Sequence, residues 1–413
     1  MKQKPSIALS LFILIFFVFS AESFAQNSTA SFPRLSPDPK ATEYFYISGG
    51  GQNTWTKLAE ISLWASGDLS NSNIEKISAI SQAIKNSPDL PKNFLEKAEF
   101  ILNYMHKNIL KTYSLHQTRI DTMLSTGRYN CVSSAVLYMI LCESLDILTF
   151  GVITKDHAFI KIPAGDTEVD VETTTAYGFD PGNRKEFHDQ FGKVTGFAYV
   201  PAKNYRDRET VGSMQLISLI MNNRIAELER QRRWDEAVVL AIDRAALLFG
   251  DSLAVMEGEE LLFTHIFKDP RIELLDRFSN YGTILLRANK EEDCIRWVQI
   301  VSSLYPDRER WQELAMAAVN NRVNRFLREK KINEAAAFLE GNKFHLAAAD
   351  FSKLNDLIKN NRAIDYHNRF AAAWNKKNFE EAERILNEGL SEFPNNSQLL
   401  SDKQITDKYK QYQ

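Results

Sequence analysis

Cysteine is scarce in this chain, three in 413 residues, which excludes a disulfide framework. The three match no zinc-ligand spacing, and nothing else in the sequence indicates a metal or an organic cofactor. Glycine (17) and proline (12) are too few for a collagen-like or low-complexity chain. A surplus of either charge is also missing: 50 Lys+Arg against 53 Asp+Glu give a net charge of -3. Duplex nucleic-acid binders carry a basic excess, so nucleic acid is not expected as a partner. After Gln26 no apolar run is long enough to span a bilayer. What is present, 44% hydrophobic and 25% charged residues, suffices for two or three domains with substantial cores.

The first 25 residues differ from the rest. Lys2 and Lys4 precede an uncharged run from Ile7 to Ser20, and Ser23-Phe24-Ala25 sets small residues at -3 and -1 before Gln26. Charge, short apolar stretch and small-x-small form the pattern of a cleaved signal peptide. The expected location is therefore periplasmic or secreted, with membrane attachment only if the segment stays uncleaved. In an exported chain an odd cysteine count leaves at least one thiol unpaired. Cys131 and Cys142 fall on one helical pattern, roughly 16 Å apart at 1.5 Å per residue. A disulfide needs Cα atoms within about 7 Å, so these two cannot pair. Cys294, inside a later helical pattern, reads as a small core residue.

The remaining chain divides in two. Residues 26–42, rich in Ser, Pro, Thr and Asn, read as a flexible leader. Helical patterns follow at 53–65, 72–86 and 92–111. In the last, Phe94, Ala98, Ile101, Leu102 and Met105 form one buried stripe, with Asn93 as a cap. A turn at Gly127 leads to Asn130 as an N-cap and an apolar helix over 132–145. Strand patterns come next at 147–153, 157–162 and 168–173, with a hairpin turn at Pro163–Asp166 and a further candidate at 195–200. Helix followed by antiparallel sheet gives an α+β domain over 43–209, with its core in 90–200.

From 210 to 413 the pattern is helix upon helix. Trp234-Asp235-Glu236-Ala237, Asn333-Glu334-Ala335 and Phe379-Glu380-Glu381-Ala382 each open a helix with acid and then alanine. Glu291-Glu292-Asp293-Cys294 is a weaker copy. Acids in a first turn complement the helix dipole, and a small residue just inside allows close packing. The phrases resemble tetratricopeptide helix pairs, which implies an all-α solenoid of helical hairpins. The spacings of 57, 41 and 47 residues are irregular, and an ordinary helical bundle is the alternative.

The chemistry lies in residues 127–175. Cys131 begins an apolar helix, where the positive helix terminus and its free N–H groups favour a thiolate and can receive an oxyanion. A nucleophilic Cys needs a base, and the base needs an orienting acceptor. His157 lies on the strand after that helix, and Glu172 on the next strand through a short hairpin. On one face of adjacent antiparallel strands the two can be cross-strand neighbours. Asp170 points the same way and competes for the role. Singly, each residue is more often packing or a solvated strand face; the order Cys, helix, strand, His, hairpin, carboxylate is what carries the reading. The loop Ala176–Gly182 reads as a structural corner with one aromatic plugged into the core, the alternative being that Tyr177 and Phe179 line a substrate groove beside His157. Tyr205–Glu209 reads as a solvated link between domains.

Gly127-Arg128-Tyr129-Asn130-Cys131, Asp156-His157-Ala158-Phe159-Ile160-Lys161-Ile162 and Asp170-Val171-Glu172-Thr173-Thr174 resemble the transglutaminase-like (papain-like) cysteine family, over roughly residues 90–200. The resemblance implies Cys131 as nucleophile, His157 as base and Glu172 as the orienting carboxylate. The family usually carries Asp in an Asp-x-Thr phrase at the third position, and Asp170 stays open. Val132 stands where the animal crosslinking enzymes have Trp, so crosslinking is not implied. The expected function is an exported cysteine hydrolase or acyl transferase acting on an amide in a peptide or protein, with a protein partner or substrate on the helical repeats. The alternative is an inactive domain of this kind, serving with its repeats as a scaffold for envelope proteins.

Overall fold

A computed structural model describes residues 31–49, 54–68, 70–182, 185–196, 208–255 and 266–411. The signal peptide expected at 1–25 lies outside the described residues. So does most of the strand expected at 195–200; Thr195 itself ends a helix. Among the described residues no helix is long and apolar enough to cross a membrane.

The first helix, α1 (Pro39–Gly49), opens on the proline, whose missing N–H costs nothing there. α2 (Trp55–Ser66) is capped by Thr54 and ended by Gly67 at φ +82°. α3 (Asn71–Lys85) and α4 (Phe94–Asn108) follow. Asn93 accepts from the N–H groups of Leu95 and Glu96, and α4 buries Ala98, Ile101, Leu102 and Met105, its expected stripe without Phe94. β1 (Thr112–Tyr113) and β2 (Arg128–Tyr129) pair in parallel on either side of α5 (Ile120–Thr126). They deliver the chain to α6 (Cys131–Glu143), whose residues 131–142 are all buried. A helix apolar on every side belongs in the middle of a fold, and α6 packs against α2, α4 and the sheet.

The sheet comprises β3 (Phe150–Ile153), β4 (Ala158–Ala164), β5 (Thr167–Val171) and β6 (Glu209–Val211), in the antiparallel order β5-β4-β3-β6. α7 (Lys185–Thr195) lies between β5 and β6 in the chain. The fold is thus mostly helical with a small antiparallel sheet, an α+β arrangement. The link expected at Tyr205–Glu209 differs over its described end. Glu209 opens β6, and Arg208 is held in an ion pair with Asp170, its guanidinium over the Phe159 ring. The expected boundary at 209/210 falls inside β6, and one buried core runs across it from Ala41 to Ile358.

Beyond β6 the described residues form α8 (Ser213–Arg230), α9 (Trp234–Phe249), α10 (Pro270–Arg287), α11 (Glu291–Leu304), α12 (Arg308–Arg328), α13 (Ile332–Gly341), α14 (Ala348–Asn375), α15 (Phe379–Glu392) and α16 (Ser397–Gln411). The acid-then-small phrases open α9, α11, α13 and α15, and Ala237, Cys294, Ala335 and Ala382 are all buried. Each of these helices pairs with the one before it through the same turn. Arg232, Asn289, Lys330 and Lys377 sit at φ +61°, +58°, +60° and +59°. The next N–H reaches back to Leu228, Leu285, Phe326 and Ala373 at 2.8–3.0 Å. That is the backbone closure of a helix C-terminus through a left-handed residue. The last hairpin has its own small core of Phe370, Ala382, Ile385, Leu386 and Leu399.

Residues 32–42 are not the flexible leader their composition suggests. Arg34 donates twice to Asp243 on α9 at 3.0 Å, and the Asp38 N–H donates to the same carboxylate at 2.7 Å. The Phe32 ring packs at a tilt against Trp297 of α11, centroids 5.7 Å apart, and Ala41 and Tyr44 are buried. The acceptor that pins this polar segment lies about two hundred residues away, where local composition carries no trace of it. Asp243→Ala strands the Asp38 N–H and the Arg34 guanidinium. It is expected to lower unfolding free energy by about 2 kcal/mol in urea titrations; an unchanged midpoint would show that the strap is energetically idle.

Candidate active site

Cys131 is the first residue of α6, placed there by a reciprocal cap. The Asn130 side chain accepts from the Ser133 N–H at 3.0 Å, and the Ser133 hydroxyl accepts from the Asn130 N–H at 2.9 Å. Ser134 N–H donates to the Asn130 carbonyl. The N–H groups of Cys131 and Val132 carry no hydrogen bond among the described residues, so two oriented donors remain at this helix end. Cys131 is 8% exposed and opens on a cleft of about 410 Å³. Ile153, Lys155 and His157 line it from the sheet, and Leu219, Asn223 and Phe267 from the helical half.

His157 precedes β4 at the end of a tight turn, in which the Thr154 N–H donates to the His157 carbonyl at 2.9 Å. The β4–β5 register pairs Ile160 with Val171. Continued by one residue, it sets Phe159 opposite Glu172, with His157 as the next residue on that face. Glu172 Oε2 lies 2.5 Å from His157 Nε2. The structure therefore brings Cys131, His157 and Glu172 together. Asp170 goes elsewhere, to the Arg208 guanidinium at 2.8 Å.

The buried Glu172 carboxylate, 1% exposed, is held by more than the imidazole. Its Oε1 accepts from the Thr174 N–H at 3.1 Å and the Thr174 hydroxyl at 2.9 Å. The backbone around it is tied to three elements. The Thr173 hydroxyl shares a 2.8 Å hydrogen bond with Ser134 of α6, Thr173 O meets His106 Nε2 of α4 at 3.1 Å, and the Tyr129 hydroxyl donates to Thr174 O at 2.9 Å. Glu172 N–H donates to Gly178 O at 2.8 Å. Gly178 is required by that approach: a Cβ there would stand 1.8 Å from the Glu172 carbonyl oxygen. Phe179 is buried and bridges to Val171, and Tyr177 is half exposed, so the loop is a structural corner with one plugged aromatic.

Aromatic rings enclose the imidazole. Phe159 stacks on it at 6.2 Å, and Phe191 of α7 meets it edge-on at 5.5 Å. Burial alone would depress the imidazolium. The charges of Glu172 and Cys131, with hydrogen bonds to both, outweigh that and hold the His157 pKa well above its ordinary range. With Nε2 on Glu172, Nδ1 is the nitrogen left for the sulfur. His106 behaves oppositely: burial lowers its pKa against the opposing pull of Thr173 O and Glu172, which makes it a neutral strut. Among the described residues no three His, Cys, Asp or Glu side chains gather as a metal site.

Sequence reasoning missed Tyr113, His106 and the anchoring role of Tyr129. Tyr113 sits in a two-residue strand, too short to show periodicity, and His106 looks like any basic residue closing a helix. Tyr129, two residues before the candidate nucleophile, was the one with a signal to find.

No protein-family model and no curated protein matches this chain. Among solved structures, a crystal structure of menin, titled as revealing the binding site for Mixed Lineage Leukemia (MLL) protein, is similar at 12% identity and a TM-score of 0.34. It covers 92% of this chain and 97% of its own. No family assignment follows from it.

A proton held at His157 more tightly in the folded than in the unfolded chain adds stability that is full below about pH 6.5 and is lost as pH rises through the raised folded value. Glu172→Gln removes one partner of this buried pair. It is expected to cost about 3 kcal/mol at pH 6, with the deficit shrinking toward alkaline pH in urea titrations; a deficit independent of pH would contradict the charged pair. Gly178→Ala forces the Glu172 backbone aside. Its expected signature is slowed alkylation of Cys131, whereas wild-type reactivity would show that the corner does not position Glu172.

Proposed function

We propose that this protein is a cysteine hydrolase or acyl transferase acting on an amide of a peptide or protein, with Cys131 as nucleophile, His157 as base and Glu172 as the carboxylate that orients the ring. The observation that carries the reading is the 2.5 Å contact of Glu172 with His157 Nε2, on a ring that lines one cleft with Cys131. The reading agrees with the resemblance of these three motifs to the transglutaminase-like family. Glu172 then stands at the family's third position and Asp170 is a structural partner of Arg208.

In the proposed reaction the Cys131 sulfur, its proton on His157, adds to the amide carbonyl carbon. The carbonyl oxygen becomes an oxyanion, for which the N–H groups of Cys131 and Val132 are the candidate donors. Collapse breaks the C–N bond as imidazolium gives its proton to the leaving nitrogen, and a thioester remains on Cys131. Water, or a second amine, deprotonated by His157, then attacks the thioester and releases the thiolate. Glu172 stays ionised, fixing ring orientation and stabilising the imidazolium. The helical half supplies the second wall of the cleft, a reason for substrate docking to involve those hairpins, which we read as tetratricopeptide-like. With the signal-peptide pattern of residues 1–25, we place the activity outside the cytoplasm.

The three cysteines provide an internal control. Burial lifts the Cys142 thiol far above its usual range, and burial with the charge of Glu291 pushes Cys294 up to about 12. At pH 7 iodoacetamide is expected to label Cys131 alone, and His157→Ala to slow that labelling at least about tenfold. Incubation with peptide mixtures should leave a mass adduct of acyl size on Cys131. Slow, equal labelling of all three thiols would sink the enzyme reading and leave the scaffold.

A further inference from the structure

One polar group in this site has no employment in the mechanism above. The Tyr113 hydroxyl of β1 is buried and has no hydrogen-bond partner among the described residues. An unsatisfied buried hydroxyl costs about 1–3 kcal/mol, which makes it conspicuous beside a reactive centre. Its ring is fixed by two constraints. β1 pairs with β2 so that Tyr113 stands opposite Tyr129, two residues before Cys131, and the two rings meet edge-on at 5.8 Å. Of the charged groups around the phenol, Cys131 bears on it most strongly, ahead of Glu172. A neutral thiol is a poor acceptor, whereas a thiolate is a good one, so this donor is left idle by the protonated sulfur and satisfied by the ionised one.

We propose that Tyr113 is a further catalytic residue, its hydroxyl donating to the Cys131 sulfur when that sulfur is an anion. The proposal rests on the reading of Cys131 as a nucleophile. It gives the sulfur two donors, His157 from the sheet and Tyr113 from β1. The proton stays on the phenol oxygen throughout. Burial, together with the negative charges of Cys131 and Glu172, keeps the phenol protonated far into the alkaline range, as a permanent donor must be. The titratable groups around the pair are His157 and Glu172, then Tyr129 and His106 behind them, with Lys155 and Asp156 at the cleft lip.

The test is the pH profile of Cys131 alkylation by iodoacetamide, read by mass spectrometry on the full chain as wild type, Tyr113→Phe and Tyr44→Phe. Iodoacetamide reports thiolate without passing through a carbonyl oxyanion. Tyr113→Phe is expected to raise the inflection by about one pH unit, a roughly tenfold slower reaction below it. Its unfolding midpoint should not fall, because the oxygen removed had no acceptor in the resting fold. Tyr44→Phe, which loses a bond between α1 and Glu60 of α2 instead, should leave the inflection in place. Coincident wild-type and Tyr113→Phe profiles, or an equal shift in Tyr44→Phe, would overturn the assignment. The parent reading fails separately: it does so if wild-type Cys131 is alkylated no faster than Cys142 and Cys294 at pH 7, whether or not Tyr113→Phe then changes its rate.

Discussion

A carboxylate with almost no water around it is held 2.5 Å from an imidazole nitrogen, and the geometry of the first half of the chain is organised around keeping it there. A buried carboxylate needs donors in place of the water it has lost. For Glu172 these are His157, the Thr174 N–H and the Thr174 hydroxyl. These donors exist only if β5 ends where it does, and that end is nailed to α6 by Ser134, to α4 by His106 and to β2 by Tyr129. The close passage of Gly178 over the Glu172 carbonyl completes the clamp. Helix α6 serves the pair twice, through Ser134 near its start and through Cys131 at its first position.

The two halves of the molecule meet at that centre. Cys131 and His157 come from the helix and sheet, yet the cleft they face is closed by Leu219 and Asn223 of α8 and by Phe267 before α10. The N-terminal segment reaches the other way: Arg34 and Asp38 grip Asp243 on α9, and Phe32 reaches Trp297 on α11. Under the proposed function, a substrate in the cleft would touch both halves at once.

How much of this was legible in the sequence depends on the range of the interaction. Elements with a local signature were readable. The Asn130 cap, the uniformly apolar α6 and the alternating β4 and β5 placed Cys131, His157 and Glu172 on adjoining elements. The acid-then-small phrases marked the start of every second helix from α9 to α15. Choosing between Glu172 and Asp170 was not possible from alternation, since both point to one face; Arg208, thirty-eight residues on, decides it by claiming Asp170. The hairpin turns were invisible because Arg232, Lys330 and Lys377 take the left-handed conformation without glycine, held by the helices they join. The leader was misread because its anchor is distant, and Tyr113 because a two-residue strand has no pattern.

The central claim is that Glu172 and Cys131 keep His157 charged where an ordinary histidine would be neutral. It is tested most directly by following the His157 ring nitrogens by NMR through a pH titration of the ¹⁵N-labelled protein, with the resonances assigned by their loss in His157→Gln. The account expects an imidazolium that persists well past pH 6.5 and, in Glu172→Gln, gives way at lower pH. A ring that titrates near 6.5 in the wild type, and does so unchanged when Glu172 is replaced, would contradict it.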